Sequence, residues 1–320
     1  MQAFVDIFSK RIAQKIPFVF LIDYEQKKPL IYGFEEAAHK GLYFNVKGFT
    51  NAPEKRIPTL SNLEKKDLSF EIYKEAFAKV FKGIYRGDSF LVNLTFPTEV
   101  FLKNNLLELF YGVNAAYKLY LKDQLVLFSP ECFVKIIGNE IAAYPMKGTL
   151  DASLPKAKEI LTKNQKEQQE HHTIVDLIRN DLSQIATQVR VKKFRYIETL
   201  STSSGKLLQS SSEICGTLIP EWEKNAGKLL MQLLPAGSIT GAPKLKTTKL
   251  IEQAEQQPRG YYTGVFGVYD GHTLESAVNI RYIEKKGTQY FYRSGGGITH
   301  LSNLEEEYEE LLKKIYIPAV

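Results

Sequence analysis

Gly237-Ser238-Ile239-Thr240-Gly241-Ala242-Pro243-Lys244 sits between two helical stretches of this 320-residue chain. The run from Glu221 to Leu233 reads as a helix that stops at the turn Pro235-Ala236-Gly237. Pro243 then stands where a first helical position would be, and a second helix is expected toward Gln256. Two glycines and a lysine invite comparison with a phosphate loop, but that loop needs Lys followed by Ser or Thr directly after its second glycine. Here Ala242 and Pro243 intervene. Glycines still allow close backbone approach and expose N–H groups, which suits a carboxylate as well as a phosphate.

Working outward, strands are expected at Phe18 to Ile22, Leu42 to Val46, Phe90 to Phe96, Leu125 to Phe128, Phe133 to Ile137 and Ile141 to Tyr144. Phe70, Tyr73, Phe77, Val80, Phe81 and Ile84 follow helical spacing and predict a helix to Tyr85, broken by Gly87-Asp88. Helix is expected again from about Leu154 to Ile185, followed by strands through about Thr217. Past the second helix, Tyr261 to Tyr269, Thr273 to Tyr282 and Gln289 to Arg293 read as strands, and Ser302-Asn303-Leu304-Glu305 fits a capping box opening a last helix. Periodicity alone thus supports a mixed α/β protein. No repeat or low-complexity linker marks a domain boundary.

Hydrophobic content of 44% and charged content of 24% are ordinary for a globular protein and argue against disorder. The net charge of +6 is spread through Lys/Glu mixtures, so it favours small anionic ligands and is no nucleic-acid signature. Cys132 and Cys215 form no metal-binding spacing and read as packed thiols of a reducing compartment. Met1 to Lys15 lacks a signal-peptide core and no apolar run approaches membrane-spanning length, so a cytoplasmic protein with no membrane partner is expected. His171-His172 is not a zinc motif and reads as solvent-facing or supporting histidines.

Two Glu-x-x-Glu pairs, Glu167 with Glu170 and Glu307 with Glu310, fall in helical runs. Side chains three apart share a helix face. A solvated face is the ordinary fate of such glutamates; an oxygen-lined site for Mg²⁺ or another hard cation is the other reading. Spacing leaves both open.

The stretches Gly237 to Lys244, Glu170 to Asp181, Asn279-Ile280-Arg281 and Gly295 to Glu310, with Gly87 to Thr95 and Ser129-Pro130-Glu131, resemble the chorismate-utilising enzymes. The matches run in order from about residue 70 to the C-terminus. Pro145-Met146-Lys147-Gly148-Thr149 is similar to the lysine-containing form found in aminodeoxychorismate synthase component I, the para-aminobenzoate synthase large subunit; anthranilate synthases typically carry Ala in place of that lysine.

The resemblance implies a single large α+β domain, two mainly antiparallel sheets packed face to face with flanking helices and the active site in a cleft between them. Residues 1–69 are expected as strands of that domain and residues 70–320 as its chorismate-binding catalytic region. It further implies Mg-dependent amination of chorismate at C4 in para-aminobenzoate and folate biosynthesis, with ammonia from a glutamine amidotransferase subunit. Lys147 would be the nucleophile and Glu131 the general acid. Glu170 and Glu310 would bind Mg²⁺, with Glu167 and Glu307 as further ligands or water holders. Arg281 and Tyr262 would grip the enolpyruvyl carboxylate, with backbone N–H groups near Gly295 and Gly297. Thr149, Gly241, Lys244 and Lys314 complete the expected substrate contacts, and Lys244 is a cation whose proximity would favour a neutral Lys147 amine. Anthranilate or isochorismate synthesis, and a non-catalytic regulatory or binding subunit, are the alternatives. One position departs from the pattern: Glu198 stands where many relatives have a histidine.

Overall fold

A computed structural model of the chain describes residues 1–163, 165–202 and 205–318, without the side chains of residues 147, 149, 165–167, 200–202 and 205. All five side chains of the strand Phe18–Ile22 are buried because its two faces meet different cores. Phe18, Phe20 and Ile22 pack into one apolar cluster, and Val19 and Leu21 into another. Successive strand side chains point to opposite faces, so a strand covered on both sides reads as a continuous apolar run.

That strand lies in the first of two sheets. The spatial order of the first is Met146–Asp151, Gly205–Leu218, Glu140–Ala143, Cys132–Ile137, Thr273–Val278, Val265–Tyr269, Phe18–Ile22 and Leu30–Tyr32, with Ala186–Thr202 also on Gly205–Leu218. In the second the order is Gly241–Ala242, Leu91–Phe101, Gln289–Ile298, Tyr282–Lys286, Leu125–Ser129, Tyr117–Leu121, Leu42–Val46 and Phe49–Thr50, with Glu64–Lys65 on Leu91–Phe101. The pairings are antiparallel.

Val19, Leu21, Phe266 and Val268 of the first sheet interdigitate with Leu42, Phe44, Leu119 and Leu127 of the second, so the sheets pack face to face. Burying each such side chain contributes about 1.5–3 kcal/mol. The helices Gln2–Ala13, Gln165–Ser183 and Ala226–Gln232 cover the outer face of the first sheet. Phe70–Tyr85, Lys244–Glu255 and Leu304–Lys313 cover the outer face of the second. The expected architecture is the observed one.

Several boundaries differ from the sequence expectation. The first 69 residues contribute strands but also the helices Gln2–Ala13 and Phe34–His39. Phe4, Phe8 and Ile12, spaced by four, are buried along the first of these, and the Phe8 ring meets Phe18 edge-on at 4.9 Å. Pro243 is the N-cap with extended backbone, one residue outside the helix Lys244–Glu255. Asn303 caps the last helix by accepting from the Glu305 and Glu306 amides, one residue later than the capping-box reading. Gly295 to Gly297 lie inside the strand Gln289–Ile298, not after it.

The expected strand Thr273 to Tyr282 is two strands, and this break positions the site. Thr273–Val278 belongs to the first sheet and Tyr282–Lys286 to the second, so Asn279 to Arg281 carry the chain across. Ser129-Pro130-Glu131 makes a second crossing beside it, since Leu125–Ser129 pairs with Tyr282–Lys286 and Cys132–Ile137 with Thr273–Val278. Glu131 and Arg281 therefore stand at neighbouring passages between the sheets.

Candidate active site

The glycine strand forms one wall. Gly295, Gly296 and Gly297 pair with Thr95, Leu94 and Asn93. A Cβ on Gly295 would lie 2.3 Å from the Leu94 carbonyl oxygen, so the backbone approach itself requires glycine there. At Gly296 a Cβ would lie 3.0 Å from Glu307 Oε2 and 3.9 Å from Glu310 Oε1. The missing side chain leaves room for two carboxylates.

Both carboxylates come from the helix Leu304–Lys313. Glu307 is 3% exposed and its Oε1 accepts a 2.7 Å hydrogen bond from Ser302 Oγ. Glu310 Oε1 pairs with Lys314 Nζ at 2.7 Å, and that ammonium also donates to the Gly295 carbonyl at 2.8 Å. Buried Tyr73 adjoins them; burial, then the charges of Glu307 and Glu310, hold its phenol well above the ordinary range. Four of the expected positions, Gly295, Glu307, Glu310 and Lys314, are thus brought together.

Glu131 stands across from the eight-residue string. Glu131 Oε1 accepts from Ser238 Oγ at 2.6 Å, and the Glu131 amide donates to Ser129 Oγ at 3.2 Å. Tyr144, Pro145, Asp181 and Gly237 line the same small cavity as Glu131, about 20 Å³, the room of a single water. Burial pushes the thiol of neighbouring Cys132 up to about 12, away from the reactive thiolate form. Ser238 and Glu131 are 107 residues apart, so the motif alone does not show their contact.

Gly241 is glycine for conformational reasons. Its φ is +119° and a Cβ would stand 1.8 Å from the Leu91 carbonyl oxygen, where Gly241 pairs with Val92. Gly241→Ala is expected to lower stability by at least about 1–3 kcal/mol, read as a fall in denaturation midpoint; an unchanged midpoint contradicts this placement. Lys244 Nζ lies 2.8 Å from Asp181 Oδ2 and donates to the Leu233 carbonyl at 2.8 Å, which ties its helix to Gln165–Ser183. Burial raises the Asp181 carboxyl, and the Lys244 ammonium opposes that rise.

At the crossing made by Asn279 to Arg281, Arg281 adopts a left-handed backbone, φ +53°, and its guanidinium lies 5.2 Å from the Tyr316 ring centre. Tyr262 is buried in the turn before Val265–Tyr269. Burial pushes its phenol up to about 12, against the pull of the Arg259, Arg281 and Arg293 cations.

Met146–Asp151 pairs with Gly205–Leu218, Lys147 opposite Ser210 and Thr149 opposite Gln209, with a register shift between them at Gly148, whose φ is +69°. The side chains of Lys147, Thr149 and Glu167 lie outside the described residues. Ser210 Oγ and Gln209 Nε2 are buried without a hydrogen-bond partner among the described residues. Glu198 pairs with Gln209, and its carboxylate accepts from Ser211 Oγ at 2.6 Å. His171 is buried, its Nε2 2.6 Å from Ser212 Oγ, so it supports the sheet and does not face solvent. Glu170 precedes it on the same helix.

Among the described residues no three His, Cys, Asp or Glu side chains group closely enough to hold a metal ion, and one of the four expected carboxylates is outside that set. Glu307 and Glu310 nonetheless turn oxygens toward the space that Gly296 leaves free. Side-by-side carboxylate oxygens are the donor type a hard divalent cation such as Mg²⁺ takes, and two such carboxylates stand here.

A half-buried carboxyl and a guanidinium at neighbouring passages between two antiparallel sheets, with paired carboxylates beside the glycine strand, define a class of site, one suited to a small anion. The chain matches the profile of the family described as chorismate binding enzyme over residues 22–319, and it belongs to that family. It is 51% identical over 318 residues to an uncharacterized PabA-like protein of Haemophilus influenzae, covering 99% of this chain and 97% of the relative. Aminodeoxychorismate synthase component 1 of Bacillus subtilis is 31% identical over 259 residues, 76% of this chain but 54% of that protein. The chain thus matches little more than half of that relative's length. In structure it is similar to anthranilate synthase component I from Streptococcus pneumoniae, with a TM-score of 0.69, 26% identity and coverage of 80% of this chain and 59% of the other. No helix among the described residues is long and apolar enough to cross a membrane.

Proposed function

We propose that this chorismate-binding enzyme aminates chorismate at C4, giving 4-amino-4-deoxychorismate for para-aminobenzoate and folate synthesis in the cytoplasm. The observation that carries the reading is Lys147, within Pro145-Met146-Lys147-Gly148-Thr149 on a strand of the first sheet. Similarity to a named aminodeoxychorismate synthase component 1 supports it.

Chorismate carries two carboxylates and a ring hydroxyl that must leave. Glu170 and Glu310 would hold Mg²⁺, with Glu167 and Glu307 as further ligands or water holders; when bound, the ion neutralises and orients the ring carboxylate. Arg281 and Tyr262 grip the enolpyruvyl carboxylate, and Arg281's planar fork suits a bidentate contact. Neutral Lys147 adds its amine to C2, both conjugated ring double bonds shift by one bond, and the C4–O bond breaks. Glu131 gives its proton to the departing hydroxyl, which leaves as water. The Ser238 hydroxyl orients the Glu131 carboxyl for that transfer. Ammonia then attacks C4, both double bonds return to their original places and the lysine amine is expelled from C2. The balance is chorismate plus ammonia to aminodeoxychorismate plus water.

The ammonia would come from a glutamine amidotransferase subunit. With Mg²⁺ and ammonium chloride the chain alone is expected to consume chorismate, whereas glutamine supports turnover only when an amidotransferase is added. Turnover on glutamine by the chain alone contradicts the two-subunit reading.

A further inference from the structure

Arg259 is the largest fully buried side chain among the described residues, 1% exposed, and none of the chemistry above uses it. Its five N–H groups are all engaged. Nε donates to Glu255 Oε2 at 3.0 Å, and Nη2 to Glu255 Oε1 at 2.6 Å and to the Asn93 carbonyl at 2.5 Å. Nη1 donates to the Ile239 carbonyl at 3.1 Å and to Thr263 Oγ1 at 3.3 Å. The guanidinium lies 4.7 Å from the Tyr24 ring centre. Glu255 Oε1 also accepts from the Thr95 amide at 2.9 Å and its hydroxyl at 3.0 Å.

These contacts converge on the segments that build the site. Ile239 follows Ser238, and its carbonyl accepts a second bond from Asn93 Nδ2 at 2.9 Å. Thr95 and Asn93 are the cross-strand partners of Gly295 and Gly297. The Tyr262 amide donates to the Arg259 carbonyl at 3.3 Å. A buried ion pair is weak evidence for stability, since apolar groups of similar volume often serve a core as well. What apolar groups lack is a rigid planar fork that fixes several backbone carbonyls at once.

We propose that Arg259 and Glu255 form a positioning pair that sets the Ser238 to Glu131 contact and the glycine wall from one buried node. The functional part of this inference rests on Glu131 acting as the acid; the positional part does not. The fork holds the Ile239 peptide and with it the preceding Ser238 hydroxyl. The same guanidinium and its carboxylate partner hold the strand facing Gly295 and Gly297.

The test compares the full chain with Arg259→Lys, which keeps the charge and loses the fork, and with Glu255→Gln. Hydrogen exchange in residues 237–244 is expected to rise about tenfold in both variants, while the distant strand Tyr117–Leu121 exchanges unchanged. The kcat for chorismate consumption, whatever product forms, is expected to fall about tenfold to a hundredfold with KM within about threefold, as for a misplaced acid. Should Arg259→Lys fail to fold, Asn93→Ala removes only the side-chain bond to the Ile239 carbonyl, and its kcat is expected to fall about three- to tenfold. Unchanged exchange in residues 237–244 overturns the positional claim. Raised exchange with unchanged kcat overturns the link to Glu131.

Discussion

Lys147→Ala is expected to lower product formation by at least about 10³-fold while leaving the fold intact, because alanine removes the amine that opens the covalent route. The strand Met146–Asp151 stands at the end of the first sheet and is held by backbone pairing to Gly205–Leu218. An alanine there keeps those bonds, so circular dichroism and the denaturation midpoint should match the wild type. Intact-mass analysis of wild-type protein quenched during turnover is expected to show a chorismate-derived adduct on Lys147, absent from the variant. Undiminished product formation by Lys147→Ala contradicts the nucleophile assignment.

Glu131→Gln is expected to lower kcat by about 10²–10⁴-fold, the usual weight of a positioned general acid. Gln keeps the shape and can still accept from Ser238 Oγ, the 2.6 Å partner of Glu131 Oε1, but it has no proton to give. Chorismate affinity should stay within about threefold, since the acid acts on the departing hydroxyl and not on the carboxylates that bind. A Kd that weakens as much as kcat falls would move Glu131 from proton donor to binding contact.

The sheets were legible in the sequence where burial is one- or two-faced and regular, as in Phe18–Ile22 and Leu42–Val46. The helix Gln2–Ala13 departs from the strands expected there: Phe4, Phe8 and Ile12 follow helical spacing, but apolar Val5 and Ile7 between them blur the period. The break at Asn279 to Arg281 was not legible, because the apolar pattern runs on through Tyr282 while the chain changes sheets. That change depends on Asn279, whose side chain donates to the Tyr261 carbonyl at 2.9 Å, and on Arg281's left-handed backbone, contacts no local pattern encodes.

In the site, the carboxylates and glycines were named from the motifs, and the structure brings Glu307, Glu310, Lys314 and Gly295 together. Spacing alone left the Glu-x-x-Glu pairs between solvated face and cation site; Glu307 is buried at 3% exposure, which removes the solvated reading for that residue. Ser238 and Arg259 escaped notice. Ser238's partner Glu131 is distant in sequence, and Arg259, though paired with Glu255 four residues earlier, gives its other donors to the Ile239 and Asn93 carbonyls and Thr263.

The central claim is the product. Chorismate, Mg²⁺ and ammonium chloride incubated with the chain and analysed by mass spectrometry are expected to yield 4-amino-4-deoxychorismate, with ¹⁵N appearing at C4 when labelled ammonium is supplied. Anthranilate or isochorismate as the product, or unconsumed chorismate, would contradict the account.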